Sequence, residues 1–154
     1  MTLTLTATER PAIKCANGDA GVIWTIPVKS LLILAEYTNP HGPMDDDYFL
    51  VFGYREKGQC YFNTATFYAL GTELLLAQLS SLLRCELRFG LCHSTDWNSR
   101  VIWPPKLVDQ EFFIFTRIGP KSIWQSPRAI CLGPGYHCSM AAEVNAYLDG
   151  ASGS

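Results

Sequence analysis

The chain has 154 residues, 48% of them hydrophobic and 17% charged, with a formal net charge of −2. That composition excludes intrinsic disorder, and the length suits one domain able to bury about 70% of its unfolded surface. The near-neutral charge excludes the basic footprint of a nucleic-acid-binding protein.

Charge is uneven along the chain: residues 1–77 hold 8 acids and 5 bases, residues 78–154 hold 6 acids and 7 bases. The opening MTLTLTATER lacks a basic region followed by an apolar stretch, so it does not read as a signal peptide. The longest aliphatic run, Leu31–Ala35, falls far short of the ~20 residues that span a bilayer. The expectation is a cytoplasmic protein with no membrane partner. Its six cysteines, none in a C-x-x-C pair, are then expected to be free thiols.

In chain order the pattern is mostly that of strands. Thr2–Thr8 alternates apolar residues with Thr until Pro11 breaks it, and Ala12–Ala16 reads as a second short strand before an Asn17-Gly18-Asp19 turn. Val22–Ile26 resumes the sheet up to Pro27, which cannot donate to a ladder and marks an edge or a bend. The apolar runs Leu31–Ala35 and Tyr48–Tyr54 predict a central antiparallel pair joined by the breaker-rich loop Asn39-Pro40-His41-Gly42-Pro43. A turn at Glu56–Gln59 returns Cys60–Asn63 onto the second run.

Helical spacing appears next. Leu75, Leu79, Leu82 and Leu83 fall on one face of a helix over Gly71–Arg84, widened by Leu74 and Leu76, with Thr72 placed to cap its start. Glu86–Leu91 then alternates like a strand, Ser94–Arg100 reads as a polar loop, and Val101–Trp103 as a short strand stopped by Pro104-Pro105. The run Phe112–Phe115 predicts a strand over Glu111–Arg117 buried on both faces. After Gly119-Pro120 comes an irregular stretch with Trp124, then a strand at Ala129–Leu132. Met140, Val144, Tyr147 and Leu148 predict a short helix entered from Ser139 and ended by Gly150.

Strands grouped around one helix, without regular βαβ alternation, predict an α+β fold. The expected form is a mainly antiparallel sheet of about seven to nine strands, one long central helix and a short C-terminal helix. Residues 1–149 form the single domain and residues 150–154 a flexible tail. The expected core holds Leu32, Leu34, Phe49, Val51, Leu75, Leu79, Leu82, Phe113 and Phe115.

Four places carry candidate chemistry. Cys92-His93-Ser94-Thr95-Asp96 packs a thiol, an imidazole and a carboxylate into five residues, but neighbours on a strand point to opposite faces. Gly133–Ser139 reads as a glycine loop entering the last helix, which would lower the pKa of Cys138 at a helix start and use His137 or His93 as base. Cys92, His93, Cys131, His137 and Cys138 include zinc-ligand types, but C-x5-H-C is not a familiar zinc spacing, and neither metal nor cofactor is expected. Last, Asp45, Asp46 and Asp47 lack the ligand spacing of a calcium loop.

With His41, Tyr37 and Tyr48 nearby, the three aspartates suit a basic protein surface, where opposite charge speeds encounter and aromatic rings anchor. The expectation is a non-catalytic protein-binding module, in the manner of an immunity protein, antitoxin or adaptor, with a basic protein partner. A small Cys/His-dependent hydrolase or transferase using Cys138, His93 and Asp96 is the alternative, and it requires those groups to converge in space.

Overall fold

The structure, a computed structural model, describes residues 1–6, 8–117, 130–131 and 136–152. Its organising element is a four-stranded antiparallel sheet. The strands are β4 (Leu31–Thr38), β5 (Tyr48–Glu56), β6 (Gln59–Thr66) and β7 (Asn98–Trp103), in the order β6-β5-β4-β7. The predicted central pair is therefore central, with Ala35 opposite Val51 on one side and Val101 on the other.

The two central strands read as unbroken apolar runs because both faces of the sheet are covered. Leu34, Leu50 and Phe52 join one core, while Ile33, Ala35 and Val51 join a second on the opposite face. The first face is covered by a three-stranded sheet of β1 (Thr2–Thr6), β2 (Ala12–Ala16) and β3 (Val22–Pro27), which contributes Leu3, Ile13, Cys15 and Ile26. Helix α1 (Thr72–Leu83) completes this cover with Leu75, Leu76 and Leu79. The second face is covered by helix α2 (Ala142–Ser152), which contributes Val144 and Leu148, together with Leu107 and Phe112. Beside it lies a small sheet of β8 (Phe113–Arg117), β9 (Ile130–Cys131) and β10 (Tyr136–Met140), ordered β8-β10-β9.

The fold is α+β and antiparallel, but the single large sheet around one long helix does not form. Strands divide into three sheets of three, four and three, and α1 spans only 12 residues at the side of one of them. Pro27 and the one-turn 3-10 helix Val28–Ser30 explain the first break. A residue without an N–H followed by a turn redirects the chain, so β3 folds over the next strand instead of pairing with it.

Other differences have equally local causes. Gly71, at φ 86°, precedes α1, and a Cβ there would lie 2.4 Å from the Leu3 carbonyl oxygen. Glycine thus replaces the expected Thr72 cap, and the Thr72 hydroxyl donates instead to the Ala69 carbonyl at 2.7 Å. Leu75, Leu76 and Leu79 are buried as their spacing predicts, whereas Leu74 and Leu82 face solvent. Only one flank of the helix meets the sheet.

Glu86–Leu91 alternates in burial at Leu87 and Leu91 but joins no strand ladder. β7 begins at Asn98, inside the expected polar loop. β8 is an edge strand with Ile114 exposed, and Phe112 just before it is the fully buried ring instead of Phe113 or Phe115. Leu32 and Phe49 are likewise only half-buried. α2 starts at Ala142, since Ser139 belongs to β10, and it runs through Gly150 to Ser152. The expectations for Trp124 and for Gly133–Gly135 lie outside the described residues.

Candidate functional site

Residues 39–47 connect β4 to β5 and fold back on themselves through their own polar groups. The Asn39 N–H donates to the Asp47 carbonyl at 2.9 Å, and the His41 N–H to Asn39 Oδ1 at 2.9 Å. Such side-chain-to-backbone bonds are the usual reason Asn begins a tight loop. Gly42 permits close approach, since a Cβ there would collide with the Asp47 carboxylate. Asp45 Oδ1 accepts the Asp46 N–H at 2.9 Å, which leaves the outer oxygens of both residues in water.

Asp47 is tied down by a residue that sequence reasoning missed. The Tyr68 hydroxyl donates to Asp47 Oδ1 at 2.7 Å, and this bond is the main reason the Tyr68 pKa is pushed up to about 12. Tyr68, 61% exposed, and Met44, 93% exposed, form the walls of an open groove of about 550 Å³ with Pro43, Asp45, Asp46 and Asp47. The hairpin register held the signal. With Phe49 opposite Thr66, and the Phe67 N–H bonded to the Tyr48 carbonyl, position 68 necessarily falls beside position 47.

Two of the aromatic residues expected to meet a partner face inward instead. Tyr48 is buried, its ring stacked on Phe67 at 4.3 Å and its hydroxyl donating to Glu36. Tyr37 is half-buried and stacks on Phe49 at 4.9 Å. Both lie in strands whose covering layers claim alternate side chains, so aromatic character near a loop did not mean exposure. His41 is exposed, with its ring edge-on to Trp97 at 5.8 Å.

The strongest electrostatic feature is Glu36, fully buried in the middle of β4. One carboxylate oxygen accepts the Tyr48 hydroxyl. The other accepts the Gly90 N–H at 2.9 Å and Arg100 Nε at 2.8 Å. Arg100 also pairs with Asp109 at 2.8 Å and donates to the Arg88 carbonyl at 2.6 Å. Burial, then the bond to Glu36, push the Tyr48 pKa far above its ordinary value. Every polar atom named here has a partner inside the protein, so the cluster fastens the Arg88–Gly90 stretch to the sheet and offers no group to a substrate.

The Cys/His candidates do not assemble. Cys138 lies within β10, buried, and burial pushes its thiol up to about 11, the opposite of an activated nucleophile. It is not at a helix start, because β10 continues to Met140 before α2 begins. Cys92, His93 and Asp96 sit exposed in the loop before β7, where Asp96 Oδ1 accepts the Trp97 N–H at 2.7 Å. Cys131 pairs with His137 across β9 and β10 as backbone neighbours. Among the described residues, no group of three or more His, Cys, Asp or Glu side chains is placed to hold a metal ion.

No family model, curated protein or solved structure matches the chain.

Among the described residues, no helix is long and apolar enough to cross a membrane. Cys15, Cys85, Cys92 and Cys138 are free thiols.

Proposed function

We propose that the protein is a non-catalytic protein-binding module that recognises a basic partner surface through the loop between β4 and β5. The observation that supports this most is the groove in which Asp45, Asp46 and Asp47 stand beside the exposed side chains of Met44 and Tyr68. Carboxylates next to a flexible thioether and an amphipathic ring match what a lysine or arginine side chain needs: charge for its head and apolar surface for its stem. Inhibition or escort of a basic protein, as immunity proteins, antitoxins and adaptors do, is the corresponding role. The Cys/His hydrolase reading finds no support in a Cys138 that is buried within β10.

The test is affinity capture from the native source with the wild-type protein and with Asp45→Asn/Asp46→Asn/Asp47→Asn side by side. Basic proteins retained by the first and lost by the second are expected. Equal retention by both baits overturns the reading. Stopped-flow association of a captured partner should show an on-rate that falls with added salt for the wild type and is nearly flat for the triple variant.

A further inference from the structure

We propose that β6 is a pairing edge for a second copy of this chain, joining two four-stranded sheets into one of eight strands. Among the described residues β6 pairs with β5 alone, so its outer row of N–H and C=O groups faces away from the sheet. Such an edge binds another strand unless something prevents it, and proteins normally provide a lysine, a proline, a bulge or a cover.

Most of the other outer strands are short, capped by proline or bonded on their outer side. β3 ends in Pro27, the outer side of β7 is bonded through the Val101 N–H to the Gln110 carbonyl at 2.8 Å, and β9 is only two residues long. The outer edge of β1 is bonded to Leu70, through Leu3 N–H to the Leu70 carbonyl at 2.8 Å and Leu70 N–H to the Met1 carbonyl at 3.1 Å. β6 has none of these features. Its eight residues, Gln59–Thr66, include no charge and no proline, and they pair with β5 without a register shift. Tyr61 and Phe62, which alternate to opposite faces, remain 41% and 38% exposed.

A second copy fits this edge better than an unrelated strand. An antiparallel pair around a two-fold axis sets one residue opposite itself, and the middle of β6 offers Phe62 for that place. Tyr61 then faces Asn63 of the second copy, and no like charges meet anywhere along the strand. The same register brings position 57 of one copy opposite position 67 of the other. At the β5–β6 hairpin tip the exposed Lys57 then lies beside Phe67, Tyr68 and the aspartate loop of the second copy, whereas the Arg55 guanidinium is buried and takes no part. This contact rests on the acidic-loop reading and identifies one basic partner, whereas the strand pairing stands on the edge itself.

Sedimentation velocity on the intact chain over about 1–200 µM tests both parts. The expected result is concentration-dependent doubling of mass, with the outward-facing amides of Phe62 and Thr64 gaining hydrogen-exchange protection as the dimer fills. Tyr61→Lys/Thr64→Lys should remain monomeric over the whole range with an unchanged far-UV spectrum. If that double variant misfolds, Thr64→Lys alone carries the test, because Thr64 is exposed. Lys57→Glu should weaken dimerisation ~10-fold while the strand still pairs.

A wild-type protein monomeric throughout the range overturns the pairing, as does a dimer indifferent to the edge lysines. A dimer that is lost with the edge lysines but unaffected by Lys57→Glu supports the pairing and overturns the assignment of the hairpin tip to the acidic loop.

Discussion

Glu36 and the Asp45–Asp47 loop are two ends of the same strand connection, and they use carboxylates in opposite ways. The loop concentrates three charges at the surface, where Asp45 and Asp46 are exposed and contribute little to folding. Glu36 stands alone among apolar neighbours, reached by a tyrosine hydroxyl, a backbone N–H and an arginine that is itself 21% exposed. Density of charge in the sequence therefore points to a surface, while a single acid inside an apolar run points to a structural fastening.

The sharpest way to break this contrast is Arg100→Ala, which leaves a buried carboxylate without its counter-ion. It should cost about 3–5 kcal/mol in denaturant melts, and a loss below about 1 kcal/mol would mean that Glu36 is not held by this pair. Leu79→Ala provides the apolar yardstick at about 2–5 kcal/mol, while Leu82→Ala on the exposed flank should change stability by less than about 0.5 kcal/mol. Asp45→Asn/Asp46→Asn should likewise shift unfolding by less than about 0.5 kcal/mol, and a larger loss would remove the distinction between the two regions.

Asp47 lies between these extremes, and its pH signature is specific. Because the Tyr68 pKa is raised to about 12, the bond to Asp47 adds stability below the ordinary tyrosine value near 10, and this is lost as pH rises through 12. Phenolate absorbance should show that late titration in the wild type and an earlier one in Asp47→Asn. The smallest perturbation is chemical labelling of the native protein with a thiol reagent. Cys92 should react first, while Cys15 and Cys138, both buried with raised pKa values, should react only as the chain opens.

Much of the architecture was legible because local pattern and burial agree. Ala12–Ala16, the β4–β5 pair and the Leu75–Leu79 stripe of α1 all appear where periodicity puts them. What escaped was information carried by remote partners. Leu87 and Leu91 alternate as a strand would, yet no ladder neighbour exists, and the segment is held by Ser80, Glu36 and Arg100 instead. The division into three sheets depends on where the chain folds over, which Pro27 only hinted at. At the candidate site the three aspartates were visible, but Tyr68 required the hairpin register and Glu36 was hidden by its own apolar context.

The two cores on opposite faces of one sheet have a consequence for the order of synthesis. All of β4–β7 and both covers of the first face are made by Trp103, so that core can close early. The second face, with Ile33, Ala35, Val51 and Val101, is not closed until Leu107, Phe112 and then α2 have emerged. A truncation before Ala142 would preserve every strand of the central sheet and still leave an apolar surface open to water, the condition under which nascent chains aggregate or recruit chaperones. The last helix is thus the closing piece of the fold, and its removal should lower solubility far more than its 11 residues suggest.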